Sequence, residues 1–176
     1  MRYVAFLRAI NVGGHTVRME ALRALFTSMG AENAQTFIAS GNVIFDVRAG
    51  TPARLERKLE RGLEDGLGYP VATFLRTLPE LQKIAVFPAF PQVEIDAAAG
   101  FYVGFLRTPP AKDVCEAVAA ASTSSHRLQV HDRELYWLRV NREEEFAGPK
   151  TEKAVGPTTV RSITTVRRIV TKYGGG

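Results

Sequence analysis

The chain has 176 residues, of which 45% are hydrophobic and 23% are charged, and its formal net charge is +5 at pH 7. This is an ordinary globular composition, which excludes a disordered or fibrous chain, and the single cysteine, Cys115, excludes an internal disulfide. No stretch approaches the ~20 apolar residues of a membrane span, and Arg8 interrupts the N-terminal apolar run too early for a secretory signal. We therefore expect a soluble, cytoplasmic protein without a membrane partner. The dispersed positive charge gives a weak preference for anions.

The N-terminal segment predicts a strand, a loop and a helix. Residues 2–8 form a short, nearly continuous apolar run, which is typical of a buried strand. Apolar residues then recur every three or four positions from Met19 to Met29 and stop before Gly30. This pattern predicts an amphipathic helix that is closed by a glycine.

A hairpin follows the first helix. The strings TFIA and VIFDV are separated by Ser40, Gly41 and Asn42. Glycine and asparagine tolerate the positive φ that tight turns need, so the two strings are predicted to be strands joined by such a turn.

A second helix and a fourth strand complete the first half of the chain. Thr51-Pro52 is a good helix start, and the leucines that follow are four residues apart on one face, with basic residues outside. The string VATFLRT predicts a strand after this helix. The resulting order, β-α-β-β-α-β, is that of a ferredoxin-like unit. The basic residues on the outer face of this helix are Arg54, Arg57, Lys58 and Arg61.

Two features separate the halves of the chain. Thr77-Leu78-Pro79-Glu80 has the form of a capping box, which predicts that a short helix begins there. The segment that follows contains several prolines and alanines, and we predict that residues 87–100 are a linker.

The string YVAFLR at residues 3–8 returns as YVGFLR at residues 102–107, which indicates a duplication. The second copy continues with a predicted helix at 112–121 and two predicted strands, HRLQVHD and ELYWLRV. A last helix is predicted for residues 158–173, with Thr158 as its N-cap.

These elements predict an α+β protein with two tandem ferredoxin-like subdomains. No closing strand is evident in the second copy, so it is predicted to be shortened or to borrow its edge strand from the first copy. The predicted boundaries are 1–86 for the first subdomain, 87–100 for the linker, 101–173 for the second subdomain and 174–176 for a tail.

The two copies differ most in the segment after the repeated strand. The first copy continues with AINVGGHTVRM, whereas the second continues with TPPAKD, which is a plain turn. Consecutive glycines between a strand and a helix let backbone N–H groups approach a ligand, and the helix dipole there favours an anion. Gly13 and Gly14 are therefore candidate phosphate contacts, with a simple tight turn as the alternative.

Two further segments supply candidate polar contacts. Ser40 and Asn42 in the first hairpin turn could donate to a ligand, although both residue types are also ordinary turn formers. Lys150, Thr159 and Arg161, near the predicted start of the last helix, form a plausible phosphate receptor. The alternative there is a capped and solvated helix end.

Other chemistry is not indicated. His126 and His131 are five residues apart in a predicted strand and point to opposite faces, so with His15 they do not make a convincing metal site. Ser40 lacks the setting of a hydrolase nucleophile. We predict no metal and no cofactor.

The strings LRAINVGGH, RMEALRALF, QTFIASGNVIF and TTVRSITTV give the chain a family likeness. Over almost its whole length it resembles the bacterial family catalogued as domain of unknown function 1697. This resemblance implies a duplicated, ferredoxin-like α+β architecture in which the two subdomains form a pseudo-dimer. It implies no established activity.

The chain departs from the pattern of that family at several places, including His15-Thr16, where the resemblance implies Lys or Asn. Ala9 replaces the usual glycine before Ile-Asn-Val-Gly-Gly. Near the C-terminus Ser162, Ile163 and Thr164 replace an Asn-Trp-Asn triplet, which puts any function of that tryptophan in doubt, while Arg161 is retained.

Three functional hypotheses follow. In the leading one the protein binds an anion, such as a nucleotide or a nucleic-acid phosphate, through Asn11, Gly13, Gly14 and Arg161, without a recognisable catalytic centre. The second is an enzyme for a small phosphorylated or carboxylated substrate whose anion is held by Arg8 or Arg161, although no base is obvious. The third is a structural interaction protein. The oligomeric state is open.

Overall fold

A computed structural model describes residues 1–11, 13–38, 41–48, 50–145 and 148–175. The chain divides into two compact units, Met1–Leu81 and Gln82–Gly176. Both units combine helices with antiparallel strands, so the protein belongs to the α+β class. No helix within these described ranges is long and apolar enough to cross a membrane.

The first unit contains a four-stranded antiparallel sheet in its described part, with the strand order β2-β3-β1-β4. Helices α1 and α2 follow β1 and β3, and α3 begins immediately after β4 and crosses into the second unit. The elements are β1 (Arg2–Leu7), α1 (Met19–Ser28), β2 (Glu32–Thr36), β3 (Asn42–Asp46), α2 (Pro52–Leu67), β4 (Thr73–Thr77) and α3 (Leu78–Val86).

The core of the first unit lies between this sheet and α1 and α2. Side chains alternate along a strand, so every second residue of β1 faces the helices. Leu59 and Leu63 of α2 are buried there, and Phe26 of α1 meets the Phe45 ring edge-on at 5.3 Å between centroids. The opposite face of the sheet is also buried; its residues include Val4, Ile44, Phe6 and Phe74.

Glutamates cover the outer edge of β4. This strand pairs with β1 on one side only, and its other N–H groups would otherwise be open to another strand. The N–H of Thr73 donates to Oε1 of Glu60 (2.9 Å), and the N–H of Leu75 donates to Oε1 of Glu56 (3.0 Å).

The next outward-facing N–H group of β4, that of Thr77, also donates to a glutamate. The N–H of Thr77 donates to Oε2 of Glu80 (2.7 Å), while the N–H of Glu80 donates back to Oγ1 of Thr77 (3.3 Å). This reciprocal pair is the predicted capping box at the start of α3. The same two residues therefore cover the edge of β4 and cap the first turn of α3.

The second unit contains another four-stranded antiparallel sheet in its described part, with the order β6-β7-β5-β8. Helices α5 and α6 follow β5 and β7, and α7 follows β8. The elements are α4 (Gln92–Ala97), β5 (Gly100–Phe105), α5 (Lys112–Ala120), β6 (His126–His131), β7 (Glu134–Arg139), α6 (Gly148–Val155), β8 (Thr159–Ser162) and α7 (Ile163–Tyr173).

Strand β8 corrects the prediction of a shortened second copy. Residues 159–162 were predicted to lie in the last helix, but they pair with β5, with Arg161 opposite Val103. The helix begins at Ile163, and its N-cap is Ser162, whose hydroxyl accepts from the Thr165 N–H, rather than Thr158. Backbone pairing with a strand almost 60 residues earlier overrides the local apolar spacing.

The first hairpin is also placed differently from the prediction. Its first strand is Glu32–Thr36 instead of the string TFIA, and the pairing shifts irregularly between Glu32 and Gln35. Ile38 has a φ of +52°, which is not an extended conformation, and Ala39, the last residue of that string, lies outside the described residues. In the stretch 87–100, predicted as a linker, α4 forms and Phe90 is buried with its ring edge against Phe101.

Candidate functional site

The loop between β1 and α1, residues 8–18, lies at one end of the first sheet. Its first N–H, from Arg8, donates to the carbonyl of Ala72 just before β4 (2.9 Å). Oδ1 of Asn11 accepts from the Val17 N–H (2.8 Å), which ties the two sides of the loop together. The hydroxyl of Tyr69 donates to the carbonyl of Ile10 (3.1 Å). The loop is thus fastened by its own residues and by the segment before β4.

Two consecutive glycines form the exposed tip of this loop. Gly13 and Gly14 have φ values of +65° and +84°, which a residue with a side chain adopts only with strain. Beside them the exposed ring of His15 stacks on Tyr69, with 3.8 Å between centroids. Arg8 is half-buried at the start of the loop and Arg18 is exposed at the N-cap of α1.

The first hairpin turn adjoins the base of the loop. Ser40 lies outside the described residues. The carbonyl of Gly41 accepts from the Leu7 N–H (2.8 Å). Asn42 is fully buried, and its Nδ2 donates to the Phe37 carbonyl (3.0 Å). Asn42 therefore holds the turn together and can influence a ligand only through the position of that turn.

Thr159 and Arg161 form a local pair in the second unit. Both lie on β8, and Nη1 of Arg161 donates to Oγ1 of Thr159 (2.8 Å) and to the Val160 carbonyl (2.9 Å). Burial lowers the pKa of the Arg161 guanidinium to about 10. At neutral pH the side chain is still a cation, and its poor hydration would strengthen its attraction to an anion.

Lys150 lies on the other face of the second sheet. It is exposed on α6 and lines a cavity of about 400 Å³ with His126, Leu128 and Glu144. Because side chains alternate along β8, Val160 faces α6 whereas Arg161 faces away from it. The structure therefore does not bring Lys150 and Arg161 together.

His126 has a structural role in that cavity wall. Its Nδ1 accepts from Nε1 of Trp137 (3.0 Å), so the proton lies on Nε2, which contacts the carbonyl of Glu144 at 3.0 Å. Among the described residues, no group of three or more His, Cys, Asp or Glu side chains is placed to hold a metal ion.

Comparison with known proteins gives a family and a fold. The family described as "Protein of unknown function (DUF1697)" matches residues 1–136. The chain belongs to this family. No curated protein matches the sequence. The solved structure of "conserved bacterial protein SP0830 from Streptococcus pneumoniae" has a TM-score of 0.74, covers 98% of both chains and is 23% identical. At this level of identity the similarity shows that the two proteins share a fold.

The structure accommodates one of the expected departures of this DUF1697 chain from the family pattern and does not explain the one at Ala9. Ser162 caps α7, with its Oγ 3.2 Å from the Thr165 nitrogen, and Ile163 is buried where the pattern has a tryptophan. Ala9, which replaces the usual glycine, has a φ of +56°. A glycine suits that left-handed backbone better than an alanine does.

We predict that Ala9→Gly raises the free energy of unfolding by up to about 1.5 kcal/mol. Left-handed backbone costs a residue with a Cβ about 1–2 kcal/mol, and the greater freedom of glycine in the unfolded chain offsets about 0.5–1 kcal/mol of that gain. Chemical denaturation measures the difference. The control is Ala121→Gly, where φ is −79° and no gain is expected. Equal effects at both positions would contradict the assignment of strain to Ala9.

Sequence reasoning missed one member of this DUF1697 loop. Tyr69 supports it through both a hydrogen bond and a ring stack, yet it is 59 residues from Ile10. In the sequence, Tyr69 is notable only because it directly follows Gly68, the glycine that ends α2. That position does not indicate a contact with the loop.

Proposed function

We propose that the protein binds a phosphate-bearing anion, such as a nucleotide, at the loop of residues 8–18. The observation that carries this proposal is the pair of exposed, left-handed glycines, Gly13 and Gly14, in a loop whose sequence begins at Arg8 and ends at Arg18. The bonds made by Asn11 and Tyr69 keep the loop in shape without covering its tip. A preformed loop loses little conformational entropy when it binds.

The chemistry of the loop supports an anion. Glycine N–H groups can approach phosphate oxygens closely, since no Cβ stands in the way. The N-terminus of α1 follows immediately, and its partial positive charge favours the same ligands. Arg18, at the N-cap, makes no side-chain cap hydrogen bond to that helix. It adds a guanidinium, which can bind a phosphate with two parallel hydrogen bonds.

The stacked rings of His15 and Tyr69 favour a nucleotide over inorganic phosphate. Both rings lie within the loop region, and the His15 side is exposed. Aromatic faces stack on nucleobases, whereas a simple phosphate gains nothing from them.

We infer that the two units are tandem, ferredoxin-like copies of one ancestral unit, which makes the loop an addition to the first. The order of strands is equivalent in the two sheets, and the repeated strings occupy the same register. Val4 is opposite Arg76 as Val103 is opposite Arg161. Each arginine donates Nη1 to the carbonyl of the residue before it.

The closing strands of the two copies support the same inference. Thr77 ends β4 and caps α3, and Ser162 ends β8 and caps α7. The connections after β1 and β5 differ, because residues 8–18 are replaced by 106–111 in the second unit. A segment found in one copy alone is where a specific function is expected.

The test is thermal stability in the presence of a nucleoside triphosphate, a sugar phosphate and inorganic phosphate. A ligand at 100 times its Kd is expected to stabilise the protein by about 2.7 kcal/mol. Arg18→Ala, alone and with Arg8→Ala, should remove most of that stabilisation. Lys112→Ala, which removes an exposed cation at the start of α5, is the matched control and should retain it.

Two results would overturn the proposal. One is the absence of stabilisation by any of the three phosphate compounds. The other is stabilisation that survives both arginine replacements, since this would place the anion elsewhere.

A further inference from the structure

Helix α2 has a row of cations along its outer face. The four residues occupy helical positions i, i+3, i+4 and i+7, which lie on one side of an α-helix, and all are exposed. With a rise of 1.5 Å per residue the row extends about 10 Å along the helix axis. The residues of this basic row are Arg54, Arg57, Lys58 and Arg61.

Two of the carboxylates of the same helix are directed elsewhere, whereas Asp65 lines the same depression as the basic row. Glu56 and Glu60 accept hydrogen bonds from the backbone of β4, on the opposite side of α2. The nearby Arg48 is paired with Glu32 (2.7 Å), and Arg2 is paired with Asp46 (2.9 Å). In the described part of the chain, no ion pair joins a member of the basic row to a carboxylate. Two of the four carboxylates of α2 therefore cover the sheet edge, and the four cations of the basic row outnumber Asp65 in the depression that they share.

The basic row borders two surface depressions. One, of about 650 Å³, lies between α2 and the end of α1 and reaches Ser28 and Met29. The other, of about 600 Å³, extends toward Gly30, Val47 and Arg48. Cations that line concave surfaces concentrate positive potential there.

We propose that the basic row of α2 binds the sugar-phosphate backbone of a nucleic acid without reading its sequence. A row about 10 Å long suits several successive phosphates better than one small anion. Three of the four cations are arginines, whose planar forks match phosphodiester oxygens. An anionic membrane is disfavoured, because the apolar face of α2, which includes Leu59 and Leu63, is buried in the core and cannot insert.

This surface is distinct from the loop of residues 8–18. The start of α2 follows the Asp46 end of β3, whereas the loop adjoins the Asn42 end of that strand. Binding at one surface therefore does not require binding at the other, and the two proposals can fail separately.

The experiment is fluorescence anisotropy of the whole chain with a DNA duplex of about 20 base pairs, titrated between roughly 50 and 200 mM salt. Four phosphate contacts predict that the logarithm of the association constant falls with the logarithm of salt concentration with a slope of about −3.6. Arg57→Gln combined with Arg61→Gln should reduce the slope to about −1.8 and weaken binding on the order of ten-fold or more at low salt.

Lys112→Gln combined with Lys153→Gln is the matched control, because it removes two exposed cations from helices of the second unit. It should leave the slope nearly unchanged. Thermal denaturation of each variant verifies folding, and the α2 variant should retain any stabilisation by nucleotide.

Three results would overturn the proposal. The first is no binding of the duplex at low salt. The second is equal weakening by the α2 and control variants, which would mean that net charge alone drives the association. The third is binding to vesicles of phosphatidylcholine and phosphatidylserine that requires the basic row, without binding to DNA.

Discussion

Glu56→Ala is expected to lower the free energy of unfolding of the first unit by about 1–3 kcal/mol, the range for a buried donor that loses its acceptor. Glu56 is 8% exposed, and its Oε1 is the acceptor for the Leu75 N–H in the edge strand β4. An alanine cannot replace that acceptor, and the fold restricts the access of water. Urea denaturation, followed by far-UV circular dichroism, measures the loss.

Glu56→Gln is the control, because its amide oxygen can still accept from Leu75. It should lose much less stability than Glu56→Ala does. The alanine variant should also aggregate more readily at high concentration, since an uncovered strand edge pairs with other chains. Equal losses in the two variants would show that the charge of Glu56, rather than its acceptor oxygen, stabilises the unit.

Gly41→Ala is expected to destabilise the first unit for two additive reasons. Its φ of +76° costs a residue with a Cβ about 1–2 kcal/mol. In addition, a Cβ at this position would lie 2.8 Å from Cγ2 of Ile10 and 3.3 Å from the Leu7 carbonyl oxygen. Overpacking of that kind costs typically about 1–3 kcal/mol.

Gly14→Ala separates the two contributions. Its φ of +84° is similar, but a Cβ there would meet no atom within 4 Å. The alanine at Gly41 should therefore cost about 1–3 kcal/mol more than the alanine at Gly14, as measured by chemical denaturation. Similar losses at both positions would show that the hairpin turn moves away from Ile10 at little cost.

Gly41 also explains why the Ser-Gly-Asn string is a good sequence signal for the hairpin. The glycine fits against β1, and the buried Asn42 bonds across the turn. Both effects are requirements of packing. They do not by themselves indicate a ligand.

Elements with strong local signals were predicted well. Leucines at four-residue spacing define α2, and Gly68, with a φ of +83°, ends it. The capping box at Thr77 and Glu80 begins α3 as expected. Within these segments the propensity, the apolar spacing and the end signals agree, so tertiary contacts do not alter the outcome.

The end of the chain shows where local signals fail. Residues 158–173 carry apolar side chains at helical spacing throughout, yet Thr159–Ser162 are a strand and only Ile163–Tyr173 are helical. The β-branched Thr159 and Val160 suit either structure. Pairing with β5 selects the strand over the helix. That pairing cannot be predicted from the neighbouring residues in the sequence.

The features of the candidate site also fall into those that the sequence predicts and those that only the tertiary structure shows. The sequence alone identified the glycine loop after the first repeated strand as a candidate site and placed the basic residues on the outer face of α2, because both inferences depend on neighbours in the chain. Only the tertiary structure brought Tyr69 under the loop and directed Glu56 and Glu60 to the edge of β4. Those contacts join residues that are 13 to 59 positions apart, and their partners are selected by the closing of the sheet rather than by local propensity.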